Sequence, residues 1–205
     1  MRDKILNKVE SLSESIESLS KTFDLYILFI DLCDSTMIKQ YCLENEIPDS
    51  VWITRQMIFL SRTSKVIQSY GGEVIKTIGD EVMATFDIAM DPYQIVKCCI
   101  EVFQTFQNLR SYNRGPFIIN AKAAIDYGTC YDGRIVSTTA IDPIGTCVDR
   151  CARISKHAGK HEIVFSDDFK EILDEKSREL SPFEIEILEN DFKGLGTVKF
   201  HRLKT

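Results

Sequence analysis

Apolar residues in the first stretch fall at Ile5, Val9, Leu12, Ile16, Leu19 and Phe23, a 4-3-4-3-4 spacing that puts them on one stripe of a helix. Two readings of that stripe stand level: an amphipathic helix lying on its own domain, or a helix pairing with a second copy, because the heptad pattern is too short to specify a coiled coil. Leu25 to Leu32 is a continuous apolar run rich in β-formers, which predicts a buried central strand delivering the polar loop Asp31-Leu32-Cys33-Asp34-Ser35-Thr36. Ser35 or Thr36 is expected to cap a helix running to about Leu43. Past Pro48, the set Ile53, Met57, Leu60, Ser64 and Ile67 keeps helical spacing until Gly71-Gly72 stops it.

Glu73 to Thr77 and Glu81 to Phe86 read as two short strands around the turn Ile78-Gly79-Asp80, a hairpin with an acid at its tip. Asp91-Pro92 opens a long amphipathic helix that fades at Asn113-Arg114-Gly115-Pro116. Phe117 to Asp126 is the expected fourth strand, followed by a glycine-rich turn region through Gly128 and Gly133 and a helix around Val148 to His157. A strand at Glu162 to Ser166, a helix from Asp167 and a strand pair near Phe183 to Leu188 and Thr197 to Leu203 close the chain. This order implies an α+β sandwich of the ferredoxin-like βαββαβ kind, with helices covering one face of a mostly antiparallel sheet. The expected organisation is an N-terminal amphipathic helix over 1–22 and one domain over 23–205.

With 205 residues, 44% apolar and 27% charged, and only 5 Pro and 10 Gly, the chain excludes a disordered, collagen-like or low-complexity protein. The longest apolar run, Leu25 to Ile30, is too short to cross a bilayer, and Met1-Arg2-Asp3-Lys4 leads into no signal-peptide core. A cytoplasmic protein with no membrane partner is expected. Seven cysteines, an odd number without a C-x-x-C pair, suggest reduced core thiols rather than disulfides or a zinc knuckle. A net charge of −6 argues against a sequence-independent grip on nucleic acid. A small anionic substrate would need its own cation, either clustered Lys and Arg or a bound metal.

Asp31 ends the first strand and Asp80 sits at the hairpin tip; in a ferredoxin-like sheet these elements are neighbours, so the carboxylates should converge. Two ionised acids a few ångströms apart repel unless a cation lies between them. Oxygen ligands on open loops favour Mg²⁺ or Mn²⁺, and a pair of such ions roughly 3.5–4 Å apart is the usual device for in-line phosphoryl chemistry. Taken singly, either Asp is explained as a cap or turn residue. The surrounding segments change that.

Phe29-Ile30-Asp31-Leu32-Cys33-Asp34-Ser35-Thr36, Val74-Ile75-Lys76-Thr77-Ile78-Gly79-Asp80-Glu81-Val82-Met83-Ala84 and Asp142-Pro143-Ile144-Gly145-Thr146-Cys147-Val148-Asp149-Arg150-Cys151-Ala152-Arg153 together resemble the catalytic domain of the class III nucleotidyl cyclases. The resemblance runs from about residue 23 to the C-terminus, in the family's order and spacing. It implies that Asp31 and Asp80, with the carbonyl of Leu32, hold two Mg²⁺ or Mn²⁺ ions, and that Ser35 and Thr36 belong to the substrate-binding set. The ribose 3′-hydroxyl of a nucleoside triphosphate would then attack the α-phosphorus and release pyrophosphate. The family's site forms between subunits, so a homodimer with two sites is implied, Arg153 reaching the α-phosphate across the interface. Lys193, in Phe192-Lys193-Gly194-Leu195-Gly196, matches the family's phosphate-tail lysine.

Lys76 and Asp142 occupy the base-recognising positions. A Lys donor to a ring nitrogen and an Asp acceptor for an exocyclic amine read adenine and cytosine equally well, and oppose guanine and uracil. Two departures mark the chain. Asp149 stands where the family usually has Asn and can pair with Arg153 four residues on; Asp34 replaces a common Gly of the first loop. Both suggest a member away from the main adenylate and guanylate branches. Trp52, Arg55 and Phe59 share a helical face that could shrink the pocket around a one-ring base; the plainer reading makes Trp and Phe core and Arg surface. A cyclase domain without sensor or membrane segment looks like the bacterial pyrimidine cyclases of anti-phage signalling, which implies cyclic CMP or cyclic UMP as product. The alternatives are an adenylate cyclase making cyclic AMP, a cyclase-fold module that binds without turnover, and a diguanylate-cyclase or polymerase-palm relative. His157 and His161 lack a third zinc ligand, Cys147 and Cys151 read as core, and no Walker-type loop is present.

Overall fold

The computed structural model describes residues 21–109, 117–133, 141–176 and 183–205. The apolar run becomes β1 (Thr22–Leu32), whose middle is buried on both faces. Tyr26, Leu28, Ile30 and Leu32 enter one apolar cluster, and Ile27 and Phe29 enter the other, as the two-residue period of a strand requires. β1 pairs antiparallel with β3 (Glu81–Asp87) on one side and with β4 (Ala121–Asp132) on the other. β2 (Glu73–Ile78) completes the hairpin, and Gly79 turns it with φ 66°, a conformation open to glycine. β5 (Pro143–Ile144) is a short strand on β4; β6 (Glu162–Ser166), β7 (Ile185–Phe192) and β8 (Gly196–Lys204) extend the sheet. The strand order is β2-β3-β1-β4-β6-β8-β7, antiparallel throughout except for β4 beside β6. The α+β, mostly antiparallel expectation is met.

Among the described residues five α-helices accompany the sheet: α1 (Ser35–Glu44), α2 (Asp49–Ser69), α3 (Pro92–Gln107), α4 (Thr146–Ile154) and α5 (Asp167–Lys176). The Asp91 carboxylate accepts from the Tyr93 N–H at 3.0 Å and Pro92 opens the first turn, so α3 starts where expected. α2, α3 and α5 bury Phe59, Phe103 and Phe169 against the Tyr26–Leu28–Ile30 face. The helices do not all lie on one face, however. Cys147, Cys151 and Ile154 give α4 an apolar stripe that packs on Ile27, Phe29, Ala124 and Val164 of the opposite face. Gly128 lies inside β4, opposite Leu25 of β1, rather than in a turn, and it is glycine where α4 packs closely, since a Cβ there would stand 2.9 Å from Cβ of Cys147.

Two further expectations shift. The fourth strand starts at Ala121, not Phe117, because the preceding segment serves the first loop: the Asn120 carbonyl accepts from the Cys33 N–H at 2.9 Å. In α2 the buried stripe is Arg55, Phe59, Thr63 and Ile67, while Ile53 and Met57 are exposed. The helix expected over 1–22 falls largely on residues 1–20, which lie outside the described residues, and β1 already begins at Thr22. All seven cysteines are free and buried. Among the described residues no helix is long and apolar enough to cross a membrane.

α4 is fastened by a buried polar network. Asp126 of β4, fully inaccessible, accepts from Arg150 Nε at 2.8 Å and Nη2 at 2.7 Å, and from Ser166 Oγ at 2.7 Å. Arg150 also pairs with Asp168 of α5. Burial pushes the Asp126 carboxyl up, and the Arg150 fork opposes that rise.

Candidate active site

The end of β1 and the tip of the β2–β3 hairpin are joined by the Leu32 N–H, which donates to the Asp80 carbonyl at 3.3 Å. Asp31 and Asp80 therefore meet at one end of the sheet, as expected, and line the same two clefts. Strand register sets Asp31 opposite Glu81 on β3 and Lys122 on β4. Nζ of Lys122 stands 3.3 Å from Oδ2 of Asp31. Burial raises the Asp31 carboxyl above its ordinary pKa; Lys122 counters the rise and the charge of Asp80 adds to it. Glu81 is pushed up to about 7 by burial first and by the Asp31 charge next.

Asp31 and Asp80 line the same clefts with Lys122 as a neighbouring cation, an arrangement that attracts a further cation. Among the described residues no three His, Cys, Asp or Glu side chains are grouped to cage a metal. The available donors are the two aspartates and the Leu32 carbonyl. This oxygen-only set fits a hard divalent ion that keeps positions for water and substrate oxygens.

The first loop departs from expectation in its capping. Asp34, not Ser35 or Thr36, is the N-cap residue of α1; it adopts φ 63°, and its side chain makes no capping bond. Its carboxylate is held instead by Lys160, 2.6 Å away. Ser35 Oγ turns back to donate to the Leu32 carbonyl at 3.1 Å. Arg55, only 3% exposed, reaches under the loop and donates from Nη2 to the carbonyls of Cys33 at 3.1 Å and Ile118 at 2.8 Å.

The Trp52–Arg55–Phe59 face therefore does not narrow a nucleotide pocket. Phe59 sits in the core beneath the sheet, and Trp52 bonds Asp49 at 3.0 Å while Lys39 covers its ring. Arg55 is buried, not at the surface, because two main-chain carbonyls replace its water.

Two clefts flank the aspartates, with Asp31, Asp80 and Lys122 lining both. One, of about 550 Å³, opens between the first loop, including Ser35 and Thr36, and the Gly159–Lys160 segment. The other, of about 510 Å³, is lined by Lys76, Asp149 and Arg153. Nζ of Lys76 lies 2.6 Å from Oδ1 of Asp142, so the two residues expected to recognise the base are joined to each other. Asp149 and Arg153 are exposed on α4, and among the described residues the ion pair between them is not formed. Lys193 is exposed in the β7–β8 turn and lines neither cleft.

Lys122, Glu81 and Lys160 were not singled out for this site from sequence, and Arg55 was singled out only as a pocket-narrowing or surface residue. A signal existed for Lys122, a charged residue between alanines in an apolar strand. His157 and His161 do not converge: His161 contacts Asn120 at 2.9 Å and His157 contacts Asn190 at 3.3 Å.

Comparison with known proteins bears on the family and the fold. The family model described as the adenylate and guanylate cyclase catalytic domain matches residues 18–205. No curated protein sequence matches the chain. The catalytic core of a rhodopsin-guanylyl cyclase with converted specificity, in complex with ATPαS, superposes with a TM-score of 0.72 at 16% identity, covering 91% of this chain and 98% of that one. The guanylate cyclase domain of RhGC from Catenaria anguillulae, in complex with GTP, gives 0.71 at 14% identity over 90% and 98% of the two chains. The adenylyl cyclase CyaB from P. aeruginosa gives 0.69 at 19% identity over 91% and 96%. With a family model spanning nearly its whole length and its fold shared with these enzymes, the chain belongs to the adenylate and guanylate cyclase catalytic domain family, a family of nucleotidyl cyclases.

Proposed function

We propose that the protein converts a nucleoside triphosphate to a 3′,5′-cyclic nucleotide and pyrophosphate, as a homodimer, with Asp31, Asp80 and the Leu32 carbonyl holding two Mg²⁺ or Mn²⁺ ions per site. The observation that carries this reading is the junction of β1 with the hairpin tip, where Leu32 bonds Asp80 and both aspartates line the same clefts. Such ions, when bound, acidify the ribose 3′-hydroxyl and neutralise the phosphates. The residues of the chain then orient and stabilise. The planar fork of Arg153 suits the α-phosphate oxygens where charge accumulates. Asp149 accepts from a ribose hydroxyl. Ser35 and Thr36 face the phosphates, and Lys193 reaches the phosphate tail. Lys122, which pairs with Asp31, would face the phosphates as well were a metal ion held there.

In the homodimer, Lys76, Asp142, Asp149, Arg153 and Lys193 of one copy complete the site of Asp31 and Asp80 in the other. Lys76 donates to a ring nitrogen and Asp142 accepts from the adjacent amine, which selects cytosine or adenine over guanine and uracil. A pyrimidine product made as an anti-phage messenger rests on resemblance to the bacterial pyrimidine cyclases, since Trp52, Arg55 and Phe59 lend it nothing. Cytosine is the pyrimidine that the Lys76–Asp142 pair fits. A module that binds without turnover is disfavoured, because it has no chemical use for Asp31, Asp80, Lys76 and Arg153 together.

The test is to incubate the pure protein with Mn²⁺ and each of the four triphosphates separately. Cyclic CMP as dominant product supports the pyrimidine reading, cyclic AMP replaces it with an adenylate cyclase, and cyclic GMP or cyclic UMP removes the assigned role of Lys76 and Asp142.

A further inference from the structure

The 550 Å³ cleft carries one cation with no part in the set described above. Lys160 lies on the segment entering β6, and its backbone is tied down on both sides. The Gly159 N–H donates to the Glu162 carboxylate at 2.7 Å, and the His161 N–H donates to the Ala121 carbonyl at 2.8 Å. From that fixed base the half-exposed side chain crosses the mouth of the cleft to Asp34, 2.6 Å away. The hydrogen bond to Asp34 raises the Lys160 pKa further, so the ammonium stays charged at any physiological pH.

Charge balance in this cleft is informative. Asp31, Asp34 and Asp80 line it with Lys122 and Lys160, and each lysine is held by one aspartate. A divalent ion on Asp31 and Asp80 competes with Lys122 for Asp31 but leaves the Asp34–Lys160 pair untouched. A polyphosphate entering the cleft would then meet one carboxylate outside the proposed donor set, Asp34, and Lys160 is the lining cation paired with it.

We propose that Lys160 is a polyphosphate-binding residue, its ammonium bridging Asp34 and the phosphate tail, with Asp34 holding it over the cleft before substrate arrives. This inference rests on the cyclase reading and adds a phosphate contact to the same site.

The test uses inorganic tripolyphosphate with Mn²⁺, measured calorimetrically on the whole chain, beside the KM for the triphosphate substrate. Lys160→Met should weaken tripolyphosphate binding and raise KM by about tenfold each, the scale of one charge-assisted contact, and Lys160→Arg should restore most of both. A smaller but measurable part of that loss should persist when Lys160→Met is made in an Asp34→Asn background, where the ammonium keeps its phosphate contact without its tether. A loss that vanishes there would mean that Lys160 only neutralises Asp34, and unchanged binding in Lys160→Met would equally overturn the proposal. The calorimetric arm needs no turnover, so a wild-type protein that binds tripolyphosphate through Lys160 but makes no cyclic nucleotide would sink the cyclase reading and leave this contact standing.

Discussion

Nζ of Lys122 stands 3.3 Å from Oδ2 of Asp31, so a lysine of β4 pairs with the carboxylate that ends β1 and is proposed to hold a metal ion. A divalent ion and this ammonium are competitors for one group. Lys122→Met should therefore tighten Mn²⁺ binding to the nucleotide-free protein, by up to about tenfold for one removed like charge nearby, while raising the KM for the triphosphate. Calorimetric titration with Mn²⁺ and steady-state kinetics read the two opposite effects.

Asp126 is fully buried and accepts three side-chain hydrogen bonds from Arg150 and Ser166. Asp126→Ala leaves Arg150 without its buried counter-charge and should cost about 3–5 kcal/mol of stability by denaturant titration. Because Arg150 sits on α4 with Asp149 and Arg153, activity should fall well before the chain unfolds globally. Arg150→Ala is expected to fall in the same range.

How much of this was legible in the chain follows from the range of each interaction. The β1 run, the hairpin and the Asp91–Pro92 start of α3 are local patterns, and the structure reproduces them within a few residues. The convergence of Asp31 and Asp80 was legible because it needs only neighbouring strands. Lys122 becomes visible only once β4 is in register with β1, with ninety residues of chain between them. Arg55 defeats pattern reading outright: a guanidinium in an apolar stripe reads as solvent-facing, and only the carbonyls of Cys33 and Ile118 explain its burial. The side taken by α4 depends on matching Cys147, Cys151 and Ile154 to the odd-numbered face of β1, a pairing no local spacing encodes.

Asp167, at the start of α5, accepts from His201 at 2.7 Å and pairs with Lys199 at 3.0 Å. The His201 bond holds its carboxyl below the ordinary value, with Lys199 assisting. A carboxyl whose pKa is lowered by folding contributes stability above its unfolded value and loses it as pH falls through the folded one. Asp167→Asn should therefore destabilise at pH 7, by at most about 1 kcal/mol given its exposure, and the difference should close as pH falls through the lowered pKa of the folded carboxyl. Denaturation midpoints of both proteins across that range check the sign.

Arg153 and Asp31 line one cleft of a single chain, whereas the proposed reaction draws them from opposite copies. Mixing equal amounts of Asp31→Ala and Arg153→Ala chains, each inactive alone, should restore about a quarter of wild-type activity, because half of the dimers are mixed and each carries one intact site. No recovery with dimers verified by sedimentation would place both residues in the same subunit's site.

The most direct measurement is Mn²⁺-dependent pyrophosphate release, with the matching cyclic nucleotide, by wild-type protein and by Asp80→Asn given the accepted triphosphate. Paired aspartates gathering divalent ions predict equimolar pyrophosphate and cyclic nucleotide from the wild type and a loss of about a thousandfold or more in the variant. Equal pyrophosphate release by the two proteins would contradict the account.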